Sequence, residues 1–151
     1  MQGIAYTKPM VMAEIGCNHM GKLDIALELL DLAKSCGCDY AKFQKRNPVE
    51  LLTEEQYSAP HPAPYNSYGD TYGAHREYLE FTIDQHLLLK RHCDSIGLGY
   101  SCSVWDVTSA KGIVSIKPDL IKVGSPSNMH WDMMKILRDD YCGDVHISTG
   151  M

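Results

Sequence analysis

Two lysines, Lys42 and Lys122, each lie inside an otherwise apolar run, Tyr40-Ala41-Lys42-Phe43-Gln44 and Leu120-Ile121-Lys122-Val123-Gly124. A lysine buried in a strand without a partner costs several kcal/mol, so it calls for a carboxylate or an anionic ligand. Glu14 sits in a third apolar run, Val11 to Gly16, where a buried carboxylate is neutralised, paired or catalytic. Gln44 follows Lys42 by two residues, and strand side chains repeat every two, so both face the same way. Two readings follow. Either each lysine reaches solvent or pairs with Glu14, or Glu14, Lys42, Gln44 and Lys122 face one cavity that takes a phosphate- or carboxylate-bearing molecule. Neighbouring serines and glycines favour the cavity, because hydroxyls and backbone N–H groups complete phosphate sites.

The elements that must position these residues alternate. Val11–Gly16 reads as a buried strand closed by glycine. From Lys22 to Cys36, Leu23, Ala26, Leu27, Leu30 and Ala33 share one helix face, and Gly37 supplies the stop. Residues 40–44 form a second strand. Residues 45–81 break the rhythm with Pro48, Pro60, Pro62 and Pro64, yet Tyr57, Tyr65, Tyr68, Tyr72 and Tyr78 argue for packing, hence an ordered, lid-like excursion. Thr82 with Gln85 forms a capping box for a helix to about Ser95, stopped by Gly97. Strands at Leu98–Ser103, Leu120–Gly124 and Val145–Ser148 are separated by helices capped by Asp106, through Ser115, and by Asn128, ending near Asp139.

Five strands alternating with helices predict an α/β fold with a parallel sheet, either doubly wound or part of a TIM (β/α)8-type barrel. The first strand–helix turn, Gly16-Cys17-Asn18-His19-Met20-Gly21, lacks the GxGxxG phosphate pattern. Polar residues close every strand: Glu14, Lys42 with Gln44, Ser101 with Ser103, Lys122 with Ser125, and Ser148 with Thr149. Barrel enzymes place their chemistry at that end, so the barrel is favoured, here incomplete with five strands.

The same residues carry a resemblance. Ala13-Glu14-Ile15-Gly16-Cys17-Asn18-His19, Lys42-Phe43-Gln44, Ile121-Lys122-Val123-Gly124-Ser125 and Ile147-Ser148-Thr149-Gly150-Met151 resemble the sialic acid (N-acetylneuraminate) synthase family, in its order and at similar spacing. The resemblance implies a TIM barrel that condenses phosphoenolpyruvate with N-acetylmannosamine or a related amino sugar, assisted by a divalent metal, manganese or magnesium. It implies that Lys42, Lys122, Ser125 and Ser148 hold the phosphoenolpyruvate, with Cys102 aligned to a threonine that helps bind it and Ser103 beside it. Glu14 and Gln44 would contact the sugar, with Asn18 and His19 also near the site. Ser127 stands where some members carry a glutamate.

A complete barrel needs about 250 residues, and the chain has 151. The expectation is therefore residues 1–151 as the N-terminal part of the catalytic barrel, without its C-terminal half, antifreeze-like domain or metal-binding histidines. Such a piece should be inactive alone and homodimeric when full length. The runners-up are another phosphoenolpyruvate-dependent sugar acid synthase, whose phosphorylated substrate would call for extra basic residues at the mouth, few of which stand out here, and a non-catalytic anion-binding half-barrel.

Composition narrows the classes. With 14 Lys+Arg against 19 Asp+Glu, a net charge of -5, the chain lacks the basic face of a nucleic-acid or membrane-surface binder. No run approaches about 20 apolar residues, and residues 1–8 have no signal-peptide core. Six cysteines without a CxxC spacing read as reduced, mostly buried thiols in the cytoplasm. His86 and His92 sit about 120° apart on a helix and cannot chelate together. His75-Arg76-Glu77 reads as a surface ion pair or a reach toward substrate, and Trp105, Trp131 and Met133-Met134 read as packing.

Overall fold

The computed structural model describes residues 7–150; the leader reading of residues 1–8 and the last motif's Met151 fall wholly or partly outside them. Five strands, β1 (Met12–Gly16), β2 (Tyr40–Lys45), β3 (Gly99–Val104), β4 (Leu120–Val123) and β5 (Asp144–Ile147), alternate with α1 (Leu23–Ser35), α2 (Pro48–Leu51), α3 (Glu54–Ser58), α4 (Tyr72–Tyr78), α5 (Ile83–Ile96), α6 (Val107–Ser115) and α7 (Trp131–Asp140). All neighbours pair in parallel, and the order across the sheet is β1-β2-β3-β4-β5. A doubly wound sheet reverses direction at a switch point. This sheet never does, so it is the singly wound arc of a (β/α)8-type barrel. The barrel is not closed, and β1 and β5 are its edges.

Alternation along each strand sorts the side chains onto two faces. Ala41 and Phe43 of β2, Tyr100, Cys102 and Val104 of β3, and Ile121 and Val123 of β4 pack outward against Ala26 and Leu30 of α1, Leu89 and Cys93 of α5, Ile113 of α6, and Met133 and Leu137 of α7. Burying side chains of this size is worth about 1.5–3 kcal/mol each, which holds the helices on that face. The opposite face carries Glu14, Lys42, Gln44, Ser101, Ser103 and Lys122, placed side by side by the register Glu14↔Lys42↔Ser101 and Gln44↔Ser103↔Lys122.

The caps explain the helix starts. Thr82 accepts from the Gln85 N–H at 3.2 Å while the Gln85 side chain accepts from the Thr82 N–H at 2.8 Å, and Gly97 ends α5 in the left-handed region at φ 67. Asp106 caps α6 as expected. Asn128 does not cap α7: a 3-10 turn, Ser125–Ser127, follows β4, and α7 begins after His130 with no side-chain cap. The proline at position 126 suits that tight turn, so Asn128 lies at its C-terminal end.

The excursion after β2 is ordered into α2, α3, a 3-10 turn at Pro64–Asn66, and α4. Thr53 and Gln56 form a second capping box, at α3. Gly73 lies against the Tyr57 ring so closely that a Cβ there would come within 2.4 Å of it. Trp131, expected to pack, is 61% exposed at the start of α7. The cysteines are all free, but only Cys93 and Cys102 are buried, while Cys36 and Cys142 are exposed, because the latter two sit where helices give way to turns. No helix among the described residues is long and apolar enough to cross a membrane.

Candidate active site

Lys42 is buried, and its ammonium meets the Glu14 carboxylate from the next strand. Its Nζ also donates to Ser103 Oγ at 3.4 Å. The Glu14 side chain is 56% exposed against 8% for Lys42, so the carboxylate is the solvent-facing member of the pair rather than the buried group its strand suggested. The reason is local. A bulge separates Glu14 from Gly16, which takes φ +55, and β1 is a sheet edge. A Cβ at Gly16 would lie 3.5 Å from the Gln44 amide nitrogen and 3.7 Å from Glu14 Oε1, so amide and carboxylate converge there.

Lys122 is half-buried and has no ion pair or hydrogen bond among the described residues. Ser101 lies between the two lysine strands, fully buried, and its Oγ has no partner among the described residues. The ends of β4 and β5 also meet. The Ser148 N–H donates to the Val123 carbonyl at 3.1 Å, and Asn128 Nδ2 donates to the Ser148 carbonyl at 3.2 Å. Gly150, at φ +81, brings the backbone to where a Cβ would sit 3.2 Å from Ser125 Cβ. Ser127 turns away, donating to the Trp105 carbonyl at 2.8 Å. Glu14, Lys42, Gln44, Ser103 and Lys122 thus share the inner face, with Ser125 and Ser148 brought together at the ends of β4 and β5.

Two expected residues, Cys102 and His19, pack away from the inner face. Cys102 is one residue out of phase with Ser101 and Ser103, so it packs in the core between sheet and helices, where burial pushes its thiol far up the pH scale. Ser103, not Cys102, faces the lysines. His19 is buried by stacking on Phe81 at 4.1 Å, and its Nδ1 accepts from the Gly21 N–H at 3.1 Å; burial lowers its pKa to about 4, so it is a neutral packing group. Asn18 stands exposed on the same turn.

Sequence reasoning missed a second polar cluster at the same end of the strands. Arg46, just past β2, is 4% exposed; its Nε donates to Glu80 at 2.7 Å and its Nη2 to Cys17 Sγ at 2.8 Å. Burial works against its charge, but Glu80 and Cys17 outweigh that and raise its pKa. Lys45 reaches Glu80 at 3.3 Å. Arg76 of α4 lies over the Tyr72 ring at 5.5 Å. Cations are therefore gathered at this rim, contrary to the expectation of few. The adjacent Lys45-Arg46 at a strand end was the available signal, while Glu80 lies 34 residues away.

Residues 29–151 match the sequence model of the NeuB family. The chain belongs to the NeuB family. It is 36% identical over 115 residues to the N-acetylneuraminate-9-phosphate synthase of Homo sapiens, covering 76% of this chain and 32% of that protein. It is 34% identical over 145 residues to the protein of the same name in Drosophila melanogaster, covering 93% and 37%. The chain spans about a third of the length of these curated relatives. The fold matches the N-acetylneuraminic acid (sialic acid) synthetase of Leptospira borgpetersenii, solved in complex with citrate, with a TM-score of 0.74 at 23% identity over 95% of this chain and 46% of that one.

No three His, Cys, Asp or Glu side chains among the described residues of this NeuB-family chain are grouped so that they could hold a metal ion. The residues present do not fit one, and no step below runs through a metal.

Proposed function

We propose that this NeuB-family chain forms the N-terminal part of a barrel that condenses phosphoenolpyruvate with N-acetylmannosamine or a related amino sugar, giving a nonulosonic acid and phosphate. The enol carbon bonds to the sugar's aldehyde carbon as the C=O π pair passes to oxygen, which takes up a proton; water adds to the cation left behind and gives up a proton; and the tetrahedral centre expels phosphate as the C–O bond to it breaks, the remaining hydroxyl becoming the ketone as its proton passes to the phosphate. The observation that carries this reading is the inner face itself: a buried lysine whose counter-ion is exposed, beside a second lysine with none among the described residues. Such a face favours a polyanion over a neutral ligand. The names of the relatives, N-acetylneuraminate-9-phosphate synthases, point to the same chemistry.

In this reading Lys42 and Lys122 carry the charge that holds the phosphoenolpyruvate, and the hydroxyls of Ser103, Ser125 and Ser148 complete its hydrogen bonds. Glu14 and Gln44, on the solvent side, accept and orient the sugar hydroxyls, with Asn18 at the rim. Cys102 and His19 pack rather than bind. Ligands of a divalent metal would come from outside the described residues, as would the strands that close the barrel, so the chain is expected to be inactive alone. The protein would work in the cytoplasm as a homodimer, in keeping with the family resemblance and six free thiols.

The test is phosphate release from phosphoenolpyruvate with N-acetylmannosamine and manganese, by this chain and by a version extended with a complete family C-terminal half. Activity in the extended version, lost in Lys42→Ala and Lys122→Ala, supports the reading. An extended version that folds, binds phosphoenolpyruvate and turns over no amino sugar overturns it in favour of a non-catalytic anion-binding barrel.

A further inference from the structure

Lys122 and His146 are register partners on β4 and β5. Their layer runs across four strands as Gln44↔Ser103↔Lys122↔His146. Alternation along β5 sends Val145 outward, where it packs against the core, and leaves Asp144 and His146 on the inner side. Asp144 and His146 accordingly line one cavity of about 270 Å³ with Met12 of β1, Tyr40 of β2 and Leu120 of β4. The ladder continues past β5, since the Ser148 N–H donates to the Val123 carbonyl at 3.1 Å, so Ser148 shares the side of His146. His146 thus has Lys122 beside it on the next strand, about 4.8 Å off, and Ser148 two residues along its own strand.

The condensation proposed above must dispose of a proton at this place, because water that adds to the cationic carbon gives one up. The neighbouring groups are poor takers. An ammonium carries no lone pair, and serine hydroxyls and the Gln44 amide are far too weak as bases near neutral pH. Glu14 is held by Lys42 on β1, at the opposite edge of the arc. Ser127 turns away to the Trp105 carbonyl. Asp144 lies one layer lower, level with Leu120 rather than with Lys122. His146 is level with Lys122, exposed to the inner space, and without a hydrogen bond or ion pair among the described residues, so a ring nitrogen is free to accept. Imidazole is also the side chain that ordinarily exchanges its proton near neutral pH.

We propose that His146 is a catalytic residue of the condensation: a ring nitrogen takes the proton that the attacking water releases. The water oxygen gives a lone pair to the cationic carbon. One O–H bond breaks with its electrons staying on oxygen, and the proton joins the imidazole lone pair, to be returned later to bulk water. The titratable groups facing His146 are Lys122 from β4, Tyr40 from β2 and Asp144 on its own strand. The inference rests on the proposed function for its reaction, while the placement of His146 stands on the register alone.

The experiment has two arms. In the chain itself, labelled at its histidine rings, phosphoenolpyruvate is titrated while the His146 ring signals, assigned with His146→Gln, are followed by NMR. They are expected to shift in the parent and to move far less in Lys122→Met; no shift in the parent would overturn the placement of His146 at the site. In the version extended with a complete family C-terminal half, His146→Gln and His146→Ala are expected to lower kcat about 100-fold or more, with phosphoenolpyruvate affinity changed by less than about threefold. The fall of kcat toward acid pH should disappear in both. Free imidazole should restore part of the rate to His146→Ala, which a merely structural role would not allow. An active parent with near-parent kcat in His146→Gln, or a loss that keeps the acid limb and resists rescue, would overturn the proton transfer alone. An extended parent without turnover would overturn the proposed function and the proton transfer with it.

Discussion

Glu14 and Lys42 are register partners on adjacent parallel strands, and the exposed carboxylate closes over the buried ammonium. An internal anion thus occupies the charge that the proposed substrate needs. An incoming phosphoenolpyruvate must share or displace Glu14, so removing that carboxylate should strengthen anion binding. Glu14→Gln is expected to raise phosphoenolpyruvate affinity several-fold, about 1 kcal/mol for a half-exposed pair, while impairing use of the sugar. Calorimetry with phosphoenolpyruvate checks the sign; unchanged or weaker binding would show that Glu14 does not compete.

Lys122 presents the opposite case, a half-buried cation with no partner among the described residues. Lys122→Met keeps the apolar stem and removes the charge. The variant is expected to be as stable as the parent or slightly more so, since no ion pair is lost. Phosphoenolpyruvate affinity should nevertheless fall by about tenfold or more. A urea titration beside the binding measurement separates the two effects.

Asp106 holds three donors at once: the Asn47 N–H at 2.7 Å, the Ser109 N–H at 2.7 Å and the Ser109 hydroxyl at 2.8 Å. It is fully buried, so Asp106→Ala strands all three and should cost about 2–4 kcal/mol. Because Asn47 opens the excursion, the loss should also speed amide exchange through α2, and hydrogen exchange would show whether that segment depends on this anchor.

Two histidines set a pH dependence. Burial holds His19 at about 4 and His86 at about 3, with Lys45 and His19 adding to the latter. Both are below the unfolded value near 6.5, so the unfolded chain takes up protons that the folded chain refuses. Stability should be insensitive to these groups above about pH 6.5, fall by up to about 1.4 kcal/mol per pH unit for each as pH drops below it, and level off below the folded values. Urea midpoints at pH 7, 6 and 5 test this. His86→Gln should flatten the slope by about one proton.

Thiol reactivity should follow exposure. Cys36 and Cys142 are open, whereas Cys93 is buried with its pKa pushed up to about 12 and Cys102 is raised further by burial. A disulfide reagent should modify Cys36 and Cys142 first and reach Cys93 and Cys102 only on unfolding, as mass mapping would show. Early labelling of Cys102 would contradict its place in the core.

The contrast between Thr82 and Asn128 shows where sequence patterning suffices. Thr82 and Gln85 are three apart and satisfy each other, a local chemistry that tertiary contacts do not disturb. Asn128 had the right type but no acidic or amide partner three residues on, and the turn built on Pro126 took its place. The long helices and the strand order follow from period and alternation, whereas α2, α3 and α4 are too short, at four to seven residues, for period to register. In the site, Lys42, Gln44 and Glu14 could be placed from two-residue alternation. Cys102 was misplaced because motif alignment ignored that alternation. The Arg46–Glu80–Cys17 contacts join residues 34 and 29 positions apart, which only the folded rim brings together.

β3 serves two environments through parity alone: Tyr100 and Cys102 go outward, Ser101 and Ser103 inward. Its length is consequently under tighter constraint than most of its side chains. Deleting Tyr100 would exchange the faces, sending the hydroxyls of Ser101 and Ser103 into the hydrocarbon and the Cys102 thiol into the space between the lysines. Tolerance in this strand should therefore be sharply asymmetric, with many substitutions accepted and almost no insertions or deletions.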